Sequence, residues 1–172
     1  MALLNTRGTL VRDRLDFFET SNAWAFVFGS VASGAFAAFL NNNSTGHTQL
    51  DVYGMLWFSS IAQVWDVTLH PPIQTFTPVT PTESMILCIQ PDLPAPAGFI
   101  GLASAFNSPS YYRILRQSGG AQSGTLDLGY GTAHTVLPPG WSLVLSTTAT
   151  AAVELSVTFY YQQVTDNVAQ AK

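Results

Sequence analysis

The chain has 172 residues, a hydrophobic fraction of 47% and a formal net charge of −4. This length suits one domain with a substantial core and leaves little room for a second. Charged residues make up only 9% of the chain, whereas a typical soluble domain has about 25%. Because a free monomer needs charge to avoid self-association, we expect much of the surface to carry hydroxyl and amide groups or to be covered by other subunits.

The basic side chains are few and unevenly placed. A nucleic-acid-binding groove needs clustered cations to neutralise phosphates, and an acidic chain with a pI near 5.0 does not offer them. Nucleic acid is therefore not an expected partner. The basic residues are Arg7, Arg12, Arg14, Arg113, Arg116 and Lys172.

Residues 1–20 differ in character from the rest of the chain. Leu10, Val11, Leu15 and Phe18 recur at a spacing close to the helical period, with charged residues between them. The pattern predicts an N-terminal arm or a short amphipathic helix, which we expect to contact a neighbouring subunit; a solvated end is the alternative. The first residues lack the features of a secretion signal, and residues 21–172 are expected to form a single domain.

From residue 21 onward, the sequence shows the two-residue period of strands with one buried face. Val153, Leu155 and Val157 alternate with polar residues near the C-terminus. Short segments of this kind, separated by turn residues, predict an all-β fold: a jelly-roll-like antiparallel β-sandwich. The predicted strands are Trp24–Phe28, Phe36–Leu40, Leu50–Phe58, Gln63–Leu69, a strand around Cys88, Phe99–Ser104, Tyr111–Arg116, Leu126–Leu128, Thr135–Leu137, Trp141–Ser146 and Ala152–Tyr161.

The uncharged segment Ala23–Leu40 is the one stretch that resembles a membrane span. Gly29-Ser30 and Ser33-Gly34 interrupt it, and its aromatic residues alternate on either side of the break. Two strands joined by a turn of small residues explain this pattern, so no membrane partner is expected.

The segments between the strands are rich in turn-forming residues. Asn41–Gly46 is predicted to be a loop, and Ser118–Gly124 a hairpin loop. Prolines punctuate the middle of the chain and exclude central strands there. They are Pro71, Pro72, Pro78, Pro81, Pro91, Pro94 and Pro96.

No pattern typical of catalysis or metal binding is found. The three histidines, His47, His70 and His134, are far apart in sequence and do not form a metal-ligating pair. Asp13 and Asp16 lie among arginines, which favours exposed ion pairs over a pair of catalytic carboxylates. The sequence therefore predicts a protein that is not an enzyme and has no cofactor, no metal ion and no catalytic residues.

Six other residues have an ordinary structural explanation. Asp51, Asp66 and Asp127 flank turns or alternate out of strands without an evident common site, and Cys88 lies in an apolar run that predicts a buried, inert thiol. Asn42 and Asn43 each begin an N-x-Ser/Thr pattern, which here indicates only a turn.

The tryptophans leave two functions open. Trp24, Trp57, Trp65 and Trp141 occupy mostly alternating strand positions, where a core or a subunit interface needs large side chains. The alternative is an exposed aromatic face that stacks on sugar rings. Which residues would bind such a ligand is left open by the sequence.

Two parts of the chain resemble small jelly-roll structural proteins of tailed bacteriophages. Ala37–Gly46 followed by Gln49–Gly54 is similar to a strand, an Asn-rich loop and a second strand of that group. Val136–Leu145 followed by Val153–Tyr161 is similar to its closing hairpin, in which Pro-Pro-Gly precedes an apolar strand.

This resemblance implies a component of the virion, on the capsid surface or in the tail, assembled in the host cytoplasm. It implies a homo-oligomer, most often a trimer, and no catalytic residues. The expected function is that of a capsid decoration or cement protein, which binds and stabilises neighbouring subunits of the major capsid protein. The alternative is a tail-fibre or receptor/carbohydrate-binding module.

Overall fold

The computed structural model describes residues 3–4, 10–11, 22–45, 48–72, 75–88, 98–108, 110–128 and 135–165. Within these ranges the fold is all-β and antiparallel, which confirms the predicted fold class. The strands are β1 (Leu3–Leu4), β2 (Leu10–Val11), β3 (Asn22–Val31), β4 (Gly34–Asn42), β5 (Thr48–His70), β6 (Thr75–Val79), β7 (Glu83–Cys88), β8 (Gly98–Asn107), β9 (Tyr112–Asp127), β10 (Thr135–Leu137), β11 (Ser142–Ala149) and β12 (Val153–Thr165).

The main sheet curls into two layers that share β5. The first layer has the order β7-β3-β12-β5 and uses the N-terminal half of β5. The second layer has the order β6-β8-β4-β11-β5 and uses the C-terminal half. Strand β9 follows β5 along its other side in both layers, and β10 pairs with the start of β5. This arrangement is a jelly-roll-like β-sandwich.

The core lies between the two layers and draws on both. Ala25 and Val27 of β3 and Leu155 and Val157 of β12 face inward from the first layer, and none of the four is exposed to solvent. The second layer contributes Phe36, whose ring meets the indole of Trp65 edge-on at 6.0 Å. Inward and outward residues alternate along β3 and β12 as the sequence pattern predicts.

Two predicted strands, Leu50–Phe58 and Gln63–Leu69, are halves of one strand. Pairing with β12 ends at Ser59 and pairing with β11 begins at Asp66, so β5 changes layer between these residues. The Ser60 hydroxyl accepts a hydrogen bond from the Glu154 amide at 2.9 Å, and the Ser59 hydroxyl accepts one from the Ile61 amide at 3.2 Å. These side chains satisfy backbone groups that the strand ladder leaves unpaired.

The prediction of a hairpin loop at Ser118–Gly124 is wrong, because this segment lies inside β9. It passes over two buried tryptophans. A Cβ atom at Gly124 would collide with the Trp57 indole, and Trp65 Nε1 donates a hydrogen bond to the Ala121 carbonyl at 2.9 Å. The small residues therefore permit a close approach of the backbone to the core.

The segment Ala23–Leu40 forms two strands, as predicted, and these belong to different layers. Gly34, at φ +125°, begins β4 after the turn that follows β3.

Pro78 lies in β6, the last strand of the second layer, beside a register shift between Thr77 and Pro78. This position agrees with the expectation that proline is tolerated at sheet edges and bulges.

Little of the predicted arm falls within the described residues. Leu3–Leu4 pairs with Leu10–Val11 as a two-residue antiparallel ladder. Leu15 and Phe18, on which the prediction of a short helix also depends, lie outside the described residues, as do Asp13 and Asp16. The arm and its boundary with the domain remain predictions.

Asn42, at the end of β4, joins three segments through a buried amide. Its Nδ2 donates hydrogen bonds to the carbonyls of Leu137 at 2.7 Å and Thr48 at 2.9 Å, and its Oδ1 accepts one from the Ser44 amide at 3.0 Å. Its backbone amide donates to Trp141, and its carbonyl accepts from Gly140. Asn42 therefore links the Asn-rich loop to the Pro-Pro-Gly corner, and the side chain is fully buried.

We expect Asn42→Ala to lower the free energy of unfolding by about 3 kcal/mol, because it leaves buried carbonyl groups without donors. Asn43→Ala is the matched control, since Asn43 is the exposed next residue. It should change stability by less than about 0.5 kcal/mol. Urea unfolding of both variants, followed by circular dichroism, measures the difference; equal losses would contradict the role given to Asn42.

Candidate functional site

The outer face of the first layer is aromatic and nearly uncharged. Trp24, Phe26 and Phe28 point outward from β3 because Ala25 and Val27 point inward. Across the sheet, Phe28 stands opposite Ser156, which stands opposite Phe58. The face as a whole, here called the aromatic face, comprises Trp24, Phe26, Phe28, Leu56, Phe58, Met85 and Tyr160.

Parts of the aromatic face are open to solvent. Phe58 is 53% exposed and Met85, on the edge strand β7, is 48% exposed. The charged residues Glu83, Asp127 and Glu154 lie at the ends of their strands and leave the centre of the face without charge. An apolar patch rimmed by polar residues is typical of a surface that contacts another protein.

The outer face of the second layer carries its own buried aromatic cluster. Phe39 is 1% exposed although it points away from the main core. The rings of Phe76 and Phe106 lie 4.5 Å and 6.4 Å from that of Phe39. Phe106 reaches this face because a bulge between Thr77 and Pro78 shifts the alternation of β8 by one residue.

Beside this cluster, a groove runs over β5, β11 and the start of β9. One part, of about 270 Å³, is lined by Thr68, His70, Tyr111 and Arg113 among others. A second part, of about 380 Å³, continues past Arg116. Asp66, Phe106 and Ser146 line both parts, so the two parts adjoin, and together they are here called the groove.

Charge in the groove is concentrated around one carboxylate. Arg113 Nε lies 3.1 Å from Asp66 Oδ1, and Arg116 Nε lies 3.9 Å from the same oxygen. The Arg113 contact lacks the alignment of a hydrogen bond and the Arg116 contact is too long for one, so that oxygen has no hydrogen-bond partner among the described residues. The Arg113 guanidinium also lies 5.9 Å from the centre of the Tyr111 ring, a distance that allows a cation–π interaction. Two positive charges thus share one negative charge.

His70 forms part of the groove and is held in its neutral form. Its Nε2 lies 2.8 Å from the Thr68 hydroxyl, and its ring meets Phe106 edge-on at 4.7 Å. Burial of the ring lowers the pKa of His70 from 6.5 to about 4, because the charged form loses hydration. Its Nδ1 has no hydrogen-bond partner among the described residues, which adds to the cost of burying the ring.

The structure separates the tryptophans into two classes. Trp57 and Trp65 are fully buried, which confirms the prediction that large aromatic residues form the core. Trp141 packs against the edge of the core and stacks on Tyr112 at 6.2 Å. Trp24 alone belongs to an outer face, where it is partly exposed.

The three aspartates considered from the sequence do not meet. Asp66 joins the two arginines in the second layer, whereas Asp51 and Asp127 lie at the other end of β5, opposite Gln162 and Gly54 respectively. His47 and His134 lie outside the described residues, and so does the side chain of Cys88. Among the described residues, no group of three or more His, Cys, Asp or Glu side chains could hold a metal ion.

The sequence pattern by itself does not indicate the groove. Asp66, Thr68 and His70 occupy alternate positions of one strand, and this signal was available from the two-residue period. What the pattern did not show is that Arg113 and Arg116 stand opposite Thr68 and Asp66 in the neighbouring strand.

The described part of the chain contains no helix with the length and apolar character needed to cross a bilayer.

We expect the stability of the protein to fall as the pH drops from 6.5 towards 4, in part because of His70. In this window the unfolded chain binds a proton at this residue and the folded chain does not, so acid favours unfolding. The contribution is at most about 3 kcal/mol. His70→Gln removes it, and the other titrating groups are the same in both proteins.

The measurement is the free energy of unfolding of both proteins, from urea titrations at several pH values. The difference between the native chain and His70→Gln should change between pH 6.5 and 4 and stay constant above pH 7.5. A difference that does not vary with pH would show that His70 titrates normally in the folded protein.

Comparison with known proteins assigns no family to this fold or its surfaces. No family model matches the chain, and no curated protein sequence matches it. The function is therefore inferred from the geometry and composition of the two outer faces.

Proposed function

We propose that the chain is a non-enzymatic structural protein of a bacteriophage virion that acts by contact with other subunits. Its most fitting role is that of a capsid decoration or cement protein, a homotrimer that binds and stabilises neighbouring subunits of the major capsid protein. The aromatic face is the single observation that supports this proposal most strongly.

The physical reason is that contact between the apolar side chains of the aromatic face and water is unfavourable. Phe58 and Met85 expose about half of their surface, and burial of apolar area yields about 25 cal/mol per Å². Aromatic residues and methionine are enriched in the cores of protein interfaces, from which lysine and glutamate are depleted. The scarcity of charge in the whole chain, 9% of residues, supports the same role.

The second candidate is a tail-fibre or receptor/carbohydrate-binding module. The groove favours it, because it places aromatic, hydroxyl and charged side chains together on a surface separate from the aromatic face. The two candidates are compatible, since a subunit of a virion can use one face for assembly and another for a ligand.

We expect light scattering after size-exclusion chromatography to give a mass that is a multiple of 18.5 kDa, and three subunits in the proposed role. Phe58→Asp and Met85→Glu should dissociate it, because each places a charge on the aromatic face. Tyr112→Asp is the matched control, since Tyr112 is 62% exposed and lies in the other half of the molecule. A native protein that is monomeric at micromolar concentration would contradict the proposal.

We also expect deletion of residues 1–20 to abolish attachment to virions while leaving the β-sheet signal in circular dichroism unchanged. The proposed arm makes contacts with neighbouring subunits, whereas the core is formed by β3 to β12. Cosedimentation of the labelled full-length and truncated chains with particles that lack the protein measures attachment. Equal binding by the two chains would show that the arm has no role in it.

A further inference from the structure

We infer that the groove binds a carboxylated oligosaccharide, with the ligand carboxylate on Arg113 and a sugar ring against Tyr111. This inference rests on the groove alone and holds whether the protein belongs to the head or the tail of a virion.

The charge of the groove selects an anion. Arg113 and Arg116 are the only lysine or arginine residues in the part of the chain that the structure describes, and both stand beside Asp66. One carboxylate neutralises one of the two guanidinium groups. The remaining described acidic residues lie outside the groove; they are Asp51, Glu83, Asp127 and Glu154. The electrostatic potential beside Arg113 and Arg116 therefore attracts an anion to the groove.

The existing ion pairs leave the arginines able to accept a second partner. The Asp66 oxygen nearest to both of them is not aligned as a hydrogen-bond acceptor, and the two side chains of Arg113 and Arg116 are 44% and 55% exposed. A ligand carboxylate that approaches from solvent can take a bidentate position on a guanidinium, which is the stronger geometry. The Tyr111 ring beside Arg113 restricts the arginine and reduces the entropy lost on binding.

The backbone of the groove argues against an extended peptide. The C-terminal half of β5 is hydrogen-bonded to β11 on one side and to β9 on the other. Among the described residues, this part of β5 therefore offers no free edge to which a peptide could add as a strand. Recognition has to come from side chains, and the ligand has to supply its own dense set of hydrogen-bonding groups.

The lining suits the hydroxyl groups and the flat faces of sugar rings. Thr68, Ser108 and Ser146 supply hydroxyls, Asn107 supplies an amide, and Tyr111 presents a ring that is 52% exposed. Aromatic side chains with a polar tip combine an apolar contact surface with hydrogen bonding. The two parts of the groove, about 270 and 380 Å³, are together within the range of small-molecule sites, so they have room for an oligosaccharide of a few units.

The test uses isothermal titration calorimetry of the full-length protein with four named sugars and one peptide. Trigalacturonate and 3′-sialyllactose are the carboxylated probes, α-1,4-galactotriose and lactose are their neutral counterparts, and hexaglutamate is the peptide probe. We expect binding of at least one carboxylated sugar, weaker at high salt, and at least about tenfold tighter than that of its neutral counterpart.

The variants connect binding to the groove. Arg113→Gln and Tyr111→Ala should each weaken binding about tenfold or more, while Glu154→Gln and Tyr112→Ala are matched controls outside the groove and should bind as the native protein does. All four positions are exposed, so circular dichroism should show the native fold. The subunit number should also be unchanged, which separates this result from a failure of the assembly proposal.

Each of the other outcomes overturns the inference. Equal binding of charged and neutral sugars would remove the role of the arginine. Tighter binding of hexaglutamate than of either carboxylated sugar would assign the groove to an acidic peptide. No binding of any carboxylated sugar at millimolar concentration, or binding that Arg113→Gln leaves unchanged, would show that the groove is not a site for this class of ligand.

Discussion

Strand β5 is hydrogen-bonded into both layers of the sandwich, and the rest of the fold depends on how it changes direction at residues 59–62. A ladder that bends this sharply leaves backbone groups without their strand partners. The hydroxyls of Ser59 and Ser60 accept hydrogen bonds from the amides of Ile61 and Glu154, which satisfies part of that requirement. With the bend in place, Trp57 before it and Trp65 after it face the same core.

Irregularities of the strands decide which residues reach the outer faces. A bulge in the pairing of β6 with β8 brings Phe106 onto the face that already carries Phe39. A register shift between β5 and β9 places Arg113 opposite Thr68, so that it lies beside Asp66. Bulges redirect side chains in this way next to functional sites. The groove therefore follows from the backbone path as much as from the composition of the strands.

The two outer faces differ in the kind of partner that they suit. The aromatic face offers apolar area without charge at its centre, which is the composition of surfaces that form permanent protein interfaces. The groove offers a shared positive charge, several hydroxyls and one exposed ring, which suits a soluble ligand bound reversibly. Because the faces belong to opposite layers, occupation of one leaves the other open.

The sequence alone determined the fold class and most of the strands, since a two-residue period directly reports which side chains face a core. It assigned the tryptophans to a core or a subunit interface without distinguishing Trp57 and Trp65, which are fully buried, from Trp24, which lies on an outer face. It did not determine that Ser118–Gly124 is a strand, because glycines that allow close packing on an indole look the same in sequence as glycines of a turn. It also did not determine the groove or the role of Asn42. Only the tertiary structure brings residues about a hundred positions apart, such as Asn42 and Leu137, into contact, because the pairing of distant strands depends on packing across the whole sandwich.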